Sequence, residues 1–300
     1  MDLSVVVPTL NGREQLARTL DSVSEHVSGA AVIVVNGPSA DGTTGMVRDR
    51  EDVDVLVEIA DRSTNAARNA GIDHATGDAI AFVNQGVSVT DEWERAIREG
   101  LREAPVVTGP THQRVRAGKT TERAETGSVA GRSVTFVNAD NVALTRNVLA
   151  DLDGFDEHVP VADARDLSHR AAGLSRDVAW QAGMAVERPV GADGGTSETD
   201  WDREYRSFAY RLAKNYGVRP AVLARIGRRA FSDAGSQLRR VLAGERSASG
   251  WLRAGRDVLT ATPGGFKDGL TARARDRSDR RNPRGRSTGE DRAVAVYDSR

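Results

Sequence analysis

The 300 residues include no cysteine, which excludes disulfides and metal centres built on thiolates. The five histidines are scattered, and no two of them stand at the helical spacing that binds zinc. No apolar run reaches the length of a membrane span, and no basic and apolar leader precedes the first strand-like segment. We therefore expect a cytoplasmic protein that does not span a membrane.

Lysine is also scarce, because three lysines stand beside 39 arginines. This bias fits a GC-rich genome and a salt-rich cytoplasm equally well. The net charge of −1 hides an asymmetry along the chain. Residues 1–200 hold 19 basic and 32 acidic groups, a net charge of −13, whereas residues 201–300 hold 23 and 11, a net charge of +12. The split predicts that the C-terminal third has a different partner from the body.

Short apolar runs alternate with segments of helical periodicity over the first two thirds of the chain. The runs Leu3–Pro8, Val32–Val35, Val53–Ile59 and Ala79–Val83 are typical of buried strands. Strands that alternate with helices pair in parallel through right-handed crossovers. The sequence therefore predicts an α/β domain over residues 1–200, with a mostly parallel sheet flanked by helices, of the type that binds nucleotides.

Further elements follow from the same periodicities. The helices expected with the clearest bounds are Arg13–His26, Thr90–Glu103 and Asp163–Gly173. Residues Gln113–Gly131 are polar and poor in strand signals, and Val178–Glu187 is typical of a strand pair. A glycine-rich break is expected over Gly191–Ser197.

The stretch from Asn65 to Gly86 predicts a helix with a small-residue face, a turn and a buried strand. Ligands of open α/β sheets bind just beyond the carboxyl ends of the strands, so Asn84, Gln85 and Gly86 should lie at the floor of the site. Neutral amides and a glycine are poor ligands for hard divalent cations, which take several charged or carbonyl oxygens. We therefore expect no strong requirement for a divalent metal and no other cofactor.

The order of motifs in this stretch resembles the inverting glycosyltransferases of family 2, which have the GT-A fold. The shared motifs are ARNAG, then A-x-G-D, then IAFV followed by a three-residue tip. In the family this tip is normally rich in Asp and holds a divalent metal against the diphosphate of the donor. This chain has Asn84-Gln85-Gly86 there. The resemblance covers roughly Leu3 to Glu187 and implies the GT-A fold for that part of the chain.

The resemblance also implies a set of donor-binding residues, which lie at the ends of the first, second and fourth strands and, for Arg68, on the helix before the fourth strand. They are Pro8, Thr9, Asn11, Asn36, Asp41, Arg68 and Asn84. The guanidinium of Arg68 would offer a planar fork to diphosphate oxygens, although a surface salt bridge is the alternative. Pro8 to Gly12 is equally typical of an ordinary turn. For Asp41 an Asx-turn and helix cap is the preferred interpretation.

The base that takes the proton of the acceptor hydroxyl is implied by a later motif. Gly154-Phe155-Asp156-Glu157 and the segment from Asp163 to Arg170 resemble the family's GGFDE and E-D-x-D-L-x-x-R. Ala164 stands where the family has its catalytic Asp. Asp163 is the nearest substitute and Asp166 is a second candidate. The alternative is that both acids only complement the dipole of the helix.

The chain becomes helical, basic and aromatic from Trp201 onward. We expect a helical extension over residues 201–272 and an irregular charged tail over residues 273–300. Aromatic residues such as Tyr205, Tyr210 and Tyr216 interleave with arginines, as suits the headgroup layer of an anionic membrane, although packing on the body is the alternative. The segments YRSFAYRLAKNYG and RRNPRG resemble small archaeal glycosyltransferases that extend dolichol-phosphate-linked glycans for S-layer glycoproteins.

Three functions compete. The first is an inverting glycosyltransferase that moves a sugar from a nucleotide sugar to a lipid-linked glycan acceptor in protein N-glycosylation. It would be peripheral on the inner face of the membrane. Other glycosyltransferases of the pathway would be further partners. The second is a catalytically degenerate GT-A protein that acts as partner of an active glycosyltransferase, because the tip and the base position are both altered. A nucleic-acid binder is the weakest, since the basic region lacks a recognised nucleic-acid module.

Overall fold

The computed structural model describes residues 1–113, 123–159, 163–189, 199–245, 247–289 and 292–300. The strands are β1 Leu3–Thr9, β2 Ala31–Asn36, β3 Val55–Ile59, β4 Ala79–Val83, β5 Ser88–Val89, β6 Val106–Thr108, β7 Thr111–Gln113, β8 Thr126–Val129, β9 Arg132–Thr135, β10 Asn141–Thr145, β11 Val178–Trp180, β12 Val186–Arg188 and β13 Ala293–Asp298. The helices are α1 Arg13–His26, α2 Thr43–Arg48, α3 Thr64–His74, α4 Trp93–Glu103, α5 Arg146–Leu152, α6 Asp163–Gly173, α7 Trp201–Tyr216, α8 Pro220–Leu242 and α9 Ala248–Arg275.

The central sheet has the strand order β11-β6-β10-β4-β1-β2-β3-β13. Strands β10 and β13 run against the other six. Strand β1 lies between β2 and β4 and pairs in parallel with both, so the carboxyl ends of these three strands meet at one edge of the sheet. The prediction of a mostly parallel sheet flanked by helices is confirmed.

Apolar side chains cover both faces of this sheet. On one face, α1 and α4 bury Leu16, Leu20 and Trp93 against the strands. On the other face, α3 lies so close to β1 that a Cβ on Gly71 would come within 2.3 Å of Val6 Cγ1. The small-residue face predicted for this helix is therefore required by its packing. The predicted bounds of α1 and α6 are also confirmed.

Two predicted segments differ from the observed strands. The strand pair expected within Val178–Glu187 is separated, because β11 joins the central sheet while β12 lies between β5 and β7 in a three-stranded sheet. The segment expected to be poor in strand contains β8, which pairs antiparallel with β9. This pairing stabilises a polar hairpin whose strands carry little hydrophobic signal. Residues 114–122 of that segment, and the expected break at residues 191–197, lie outside the described residues.

The C-terminal third packs closely on itself and on the sheet domain. A Cβ on Gly265 of α9 would lie 2.2 Å from the carbonyl oxygen of Arg206, so α9 and α7 touch at backbone distance. The aromatic residues that the sequence assigns to a membrane headgroup layer are buried, including Tyr205, Tyr210 and Tyr216. Packing on the body, the alternative interpretation, is therefore correct for α7.

The expectation that residues 273–300 are irregular is wrong for residues 273–275 and 293–298. Helix α9 continues to Arg275, and β13 adds to the edge of the central sheet by pairing antiparallel with β3. An edge strand such as β3 has unpaired backbone groups, and β13 satisfies them. Among the helices of the described residues, none combines the length and the hydropathy that a membrane crossing requires.

Candidate active site

A cleft of about 340 Å³ opens where the carboxyl ends of β1, β2 and β4 meet. Of the seven predicted donor-binding residues, Pro8, Thr9 and Asn84 line this cleft. Asp61, Arg62, Asp140 and Arg188 line it as well, and the sequence interpretation included none of them. The cleft therefore lies at the edge of the sheet where the sequence predicts the site, but its charged groups come from other segments.

The tip after β4 is tied to the loop after β1. The Gln85 side-chain carbonyl accepts hydrogen bonds from the Thr9 hydroxyl and from the backbone N–H of Leu10, the latter at 3.1 Å. The backbone N–H of Gly86 donates to the Thr19 hydroxyl at 3.0 Å. These bonds turn the Gln85 amide towards β1. Asn84 is the tip side chain that contacts charged residues, as described next.

Arg68 lies beneath the tip and is almost fully buried. Its Nη2 donates to Asn84 Oδ1 at 3.0 Å and to the carbonyl oxygen of Ala139 at 2.9 Å. Its guanidinium also stacks over the Phe155 ring at 5.0 Å. The small-residue face of α3 is pressed against the sheet and carries Arg68 inward, so a contact of Arg68 with the donor stays a prediction. It holds Asn84 in place.

A chain of polar contacts continues from Asn84 into the cleft. Asn84 Nδ2 donates to Asp140 Oδ1 at 3.0 Å, and Arg188 Nη2 donates to the other oxygen, Asp140 Oδ2. Asp140 precedes β10, the neighbour of β4, and Arg188 ends β12. A signal for Asp140 existed in the sequence, since it stands immediately before a strand. Arg188 comes from a separate sheet and had none.

Asn11, Asn36 and Asp41 join the loops after β1 and β2 to each other. Asn11 Oδ1 accepts from the backbone N–H of Ala40 at 2.9 Å, and Asn36 Oδ1 accepts from the Ser39 hydroxyl at 2.7 Å. The Thr43 hydroxyl and the backbone N–H of Arg13 donate to Asp41 and lower its pKa. These three residues do not line the cleft but fix the two loops at its side. For Asp41 this agrees with the preferred Asx-turn interpretation.

The two candidate bases are placed very differently. Asp163 is the first residue of α6, and its side chain lies outside the described residues. Asp166 is buried, and its carboxylate accepts from Lys214 Nζ at 2.8 Å and from Arg170 Nε at 2.8 Å. Burial alone would raise the pKa of Asp166, but the charges of Lys214 and Arg170 hold that pKa well below its ordinary value.

Asp166 therefore belongs to an internal ion network that joins α6 to α7. Asn215 Nδ2 also donates to it at 3.1 Å, so both carboxylate oxygens are engaged inside the protein. It does not line the cleft. This position favours Asp163 over Asp166 as the base, and both assignments stay predictions.

The tip does not fit a divalent cation. Asn84 Oδ1 already accepts from Arg68, the Gln85 carbonyl accepts from Thr9 and Leu10, and Gly86 has no side chain. The neighbouring carboxylate, Asp140, accepts from Arg188. Within the described ranges there is no group of three or more His, Cys, Asp or Glu side chains that could hold a metal ion.

Comparison with known proteins identifies the domain that carries this cleft. Residues 4–152 match the model of the family described as Glycosyl transferase family 2. This part of the chain is a family 2 glycosyltransferase domain.

Glycosyltransferase AglE of Haloferax volcanii is 30% identical over 103 residues, which are 32% of this chain and 34% of that protein. Glycosyltransferase GlyA of Streptococcus pneumoniae is 26% identical over 95 residues, 30% of this chain and 13% of that protein. The chain thus spans about a third, or less, of the curated relatives it matches.

Solved structures of glycosyltransferases resemble this chain, and the resemblance extends beyond residues 4–152. S. aureus TarS 1–349 in complex with UDP-GlcNAc matches with a TM-score of 0.62 at 18% identity, over 94% of this chain and 90% of that chain. The mannosyltransferase PcManGT of Pyrobaculum calidifontis, in complex with GDP-Man and Mn²⁺, matches with a TM-score of 0.58 at 18% identity, over 90% of this chain and 84% of that chain. The predicted α/β GT-A fold is confirmed.

Proposed function

We propose that the protein is an inverting glycosyltransferase that binds a nucleotide sugar in the cleft after β1 and β4. One observation carries the proposal: a family 2 domain has a cleft at the carboxyl ends of its parallel strands, lined by Pro8, Thr9 and Asn84. Ligands of open α/β sheets bind at this position. On this account the base and ribose of the donor lie between the loops after β1 and β2, and the diphosphate lies towards Asn84.

The start of α3 supports this orientation of the donor. Ser63 caps the helix by accepting from the backbone N–H of Ala66, and both Ser63 and Thr64 line the cleft. The N-terminus of a helix carries a partial positive charge and attracts phosphate groups. A diphosphate near Asn84 would therefore meet the positive end of α3 as well as Arg62, which lines the same cleft.

The reaction requires a group that takes a proton. In the proposed step the carboxylate of Asp163 takes the proton of the acceptor hydroxyl as its oxygen attacks the anomeric carbon, and the nucleoside diphosphate leaves with the electrons of the broken bond. The ion network behind α6 supports this role, because Lys214 and Arg170 fix the helix that begins at Asp163. A helix held in this way has a fixed position against α7.

Binding of the donor should depend little on divalent metal, because the tip does not fit one. We expect a nucleoside diphosphate, UDP or GDP, to bind saturably, with an affinity that changes less than tenfold between manganese and chelator. Calorimetric titration under both conditions measures this. A loss of more than tenfold under chelator, equivalent to about 1.4 kcal/mol, would contradict the interpretation of the tip. Failure of UDP, GDP and their sugars to bind at all would contradict the proposed function.

The acceptor that we propose is a lipid-linked glycan of the dolichol-phosphate type, used in N-glycosylation of surface glycoproteins. It is supported by the surface of α8 and α9, where large apolar side chains are exposed. These are Leu223, Phe231, Leu238, Leu242, Leu252 and Leu259. Residues 219–275 hold 12 basic and 4 acidic groups, a net charge of +8. Exposed apolar groups among arginines suit the surface of an anionic membrane, where such an acceptor lies.

The geometry of this surface also favours a membrane. An apolar groove of about 800 Å³ runs between α8 and α9 and is lined by Phe231, Trp251 and Leu259. Exposed arginines, among them Arg239 and Arg253, stand on the same two helices. Each of these could contribute about 1 kcal/mol to binding of anionic lipid at moderate salt.

Replacing Phe231 with glutamate should release the protein from anionic vesicles. Its side chain is 83% exposed, so the change removes apolar contact and adds a repelling charge at little cost in folding. Co-sedimentation with phosphatidylglycerol vesicles measures the effect. Val294→Glu on β13 is the matched control, because Val294 is also exposed, at 71%, but lies away from α8 and α9. Equal sedimentation of the wild type and Phe231→Glu would contradict a membrane role for this surface.

A catalytically degenerate partner of an active glycosyltransferase is the second candidate function. It is favoured by the engagement of Asp166 in the internal network and by the amide tip at Asn84. A degenerate partner would bind nucleotide sugars without consuming them, or would bind none. Donor turnover therefore separates the two candidates.

A further inference from the structure

We propose that Arg188, held by Asp140 beside Asn84, occupies the place of the divalent cation and binds the diphosphate of the donor directly. This inference rests on the proposed function, because it assumes a nucleotide sugar in the cleft. The family resemblance implies a metal at the tip, whereas the tip of this chain does not fit one. The cleft nevertheless needs positive charge, since a leaving diphosphate carries developing negative charge.

The position of Arg188 supports this role. It lines the cleft together with Thr9 and Asn84, and its side chain is 27% exposed, so it can reach a ligand. It ends β12, and that strand pairs with β5 on one side and β7 on the other. The guanidinium therefore projects from the end of a central strand of a small sheet, which limits its movement.

A relay of three contacts directs this guanidinium towards the tip. Arg68 fixes Asn84, Asn84 Nδ2 donates to one oxygen of Asp140, and Arg188 donates to the other oxygen. Asp140 is thus held between an amide and a guanidinium and serves as a positioning residue for Arg188. The relay places the Arg188 guanidinium close to the amide that replaces the metal-binding acids.

An arginine is chemically suited to this place. A guanidinium stays charged at all physiological pH values, and its planar fork matches two phosphate oxygens at once. With five N–H donors, one guanidinium can bind a carboxylate and a phosphate together. Unlike a metal ion, it needs no ring of carboxylates, which agrees with Asn84, Gln85 and Gly86 at the tip. The alternative is that Arg188 and Asp140 form a salt bridge with a purely structural role.

The test compares the diphosphate with the nucleoside alone. Wild type, Arg188→Gln, Arg188→Lys and the control Arg95→Gln are titrated with UDP, GDP, uridine and guanosine, each with chelator and with manganese. Arg95 lies on α4 with its side chain 60% exposed and is not part of the cleft. Thermal unfolding of each variant checks that it is folded.

We expect Arg188→Gln to weaken binding of the nucleoside diphosphate about 10- to 100-fold, which is the effect of losing a hydrogen bond to a charged group. Binding of the nucleoside alone should change less than threefold. Arg188→Lys should restore part of the affinity, because it keeps the charge and loses the fork. Arg95→Gln should bind all four ligands as the wild type does.

Three results would overturn the inference. In the first, Arg188→Gln binds diphosphate and nucleoside as the wild type does, which would make the pair structural. In the second, manganese strengthens binding to the wild type more than tenfold and Asp140→Asn abolishes that gain, which would make Asp140 a metal ligand. In the third, the wild type binds neither diphosphate, and then the proposed function fails together with the inference. If the wild type binds the nucleoside diphosphate and Arg188→Gln binds it equally well, the inference fails but the proposed function stands.

Discussion

Replacing Lys214 with methionine should lower the free energy of unfolding by about 3–5 kcal/mol. The Lys214 ammonium is fully buried and donates to Asp156 Oδ2 at 2.5 Å and to Asp166 at 2.8 Å. Tyr210 also donates to Asp156, at 2.8 Å. Removing the cation would leave the buried Asp156 carboxylate without a charge partner and leave Asp166 with Arg170 alone. This costs far more than the hydrophobic contact of methionine returns.

Urea unfolding of Lys214→Met against the wild type measures this loss. Lys267→Met is the matched control, because Lys267 is exposed on α9 and its replacement should change stability by no more than about 0.5 kcal/mol. Equal losses in the two variants would show that the network between α6 and α7 contributes little. A large loss of unfolding free energy in Lys214→Met alone would show that α7, in the C-terminal third, stabilises α6, the helix that carries the candidate base.

Asp163→Asn should lower the rate of sugar transfer by about 10²- to 10⁴-fold and leave donor affinity unchanged. The amide keeps the size of the side chain but cannot take the proton of the acceptor hydroxyl. Donor turnover and donor titration on the same preparation separate the two effects. Asp151→Asn on α5 is the control, since Asp151 is exposed and pairs with Arg176 on the surface.

Asp166→Asn provides the contrasting result. We expect its main effect on stability, because it weakens the bonds to Lys214 and Arg170 inside the protein. An active Asp163→Asn together with a folded but inactive Asp166→Asn would move the base one turn along α6. Full activity of both variants would remove the base site from this helix altogether.

The sheet could be predicted from the sequence because its central strands are local, continuous apolar runs. Val32–Val35 and Ala79–Val83 are buried on both faces, which produces a signal that does not depend on their partners. Strand β13 could not be found in this way. It is a half-exposed edge strand whose partner β3 lies more than 230 residues earlier, so only the tertiary structure makes it a strand.

The site was predictable where residues end or directly follow buried strands. Pro8 and Thr9 end β1 and Asn84 follows β4, and all three line the cleft. Arg68 was assigned to the donor because its charge suggests a ligand contact, but the packing of α3 turns it beneath the tip. Arg188 was missed because a separate small sheet brings it to Asp140 from 48 residues along the chain. A charge that arrives through tertiary packing leaves no pattern in the sequence.

Release of nucleoside diphosphate is the measurement that tests the account most directly. Purified protein is mixed with a panel of nucleotide sugars and with membrane lipid that contains lipid-linked glycans, and the released UDP or GDP is followed over time. The account predicts turnover with one donor, an increase when the lipid is added, and loss of that turnover in Asp163→Asn. Binding of a nucleotide sugar without turnover of any donor in the panel would contradict it and favour the degenerate partner.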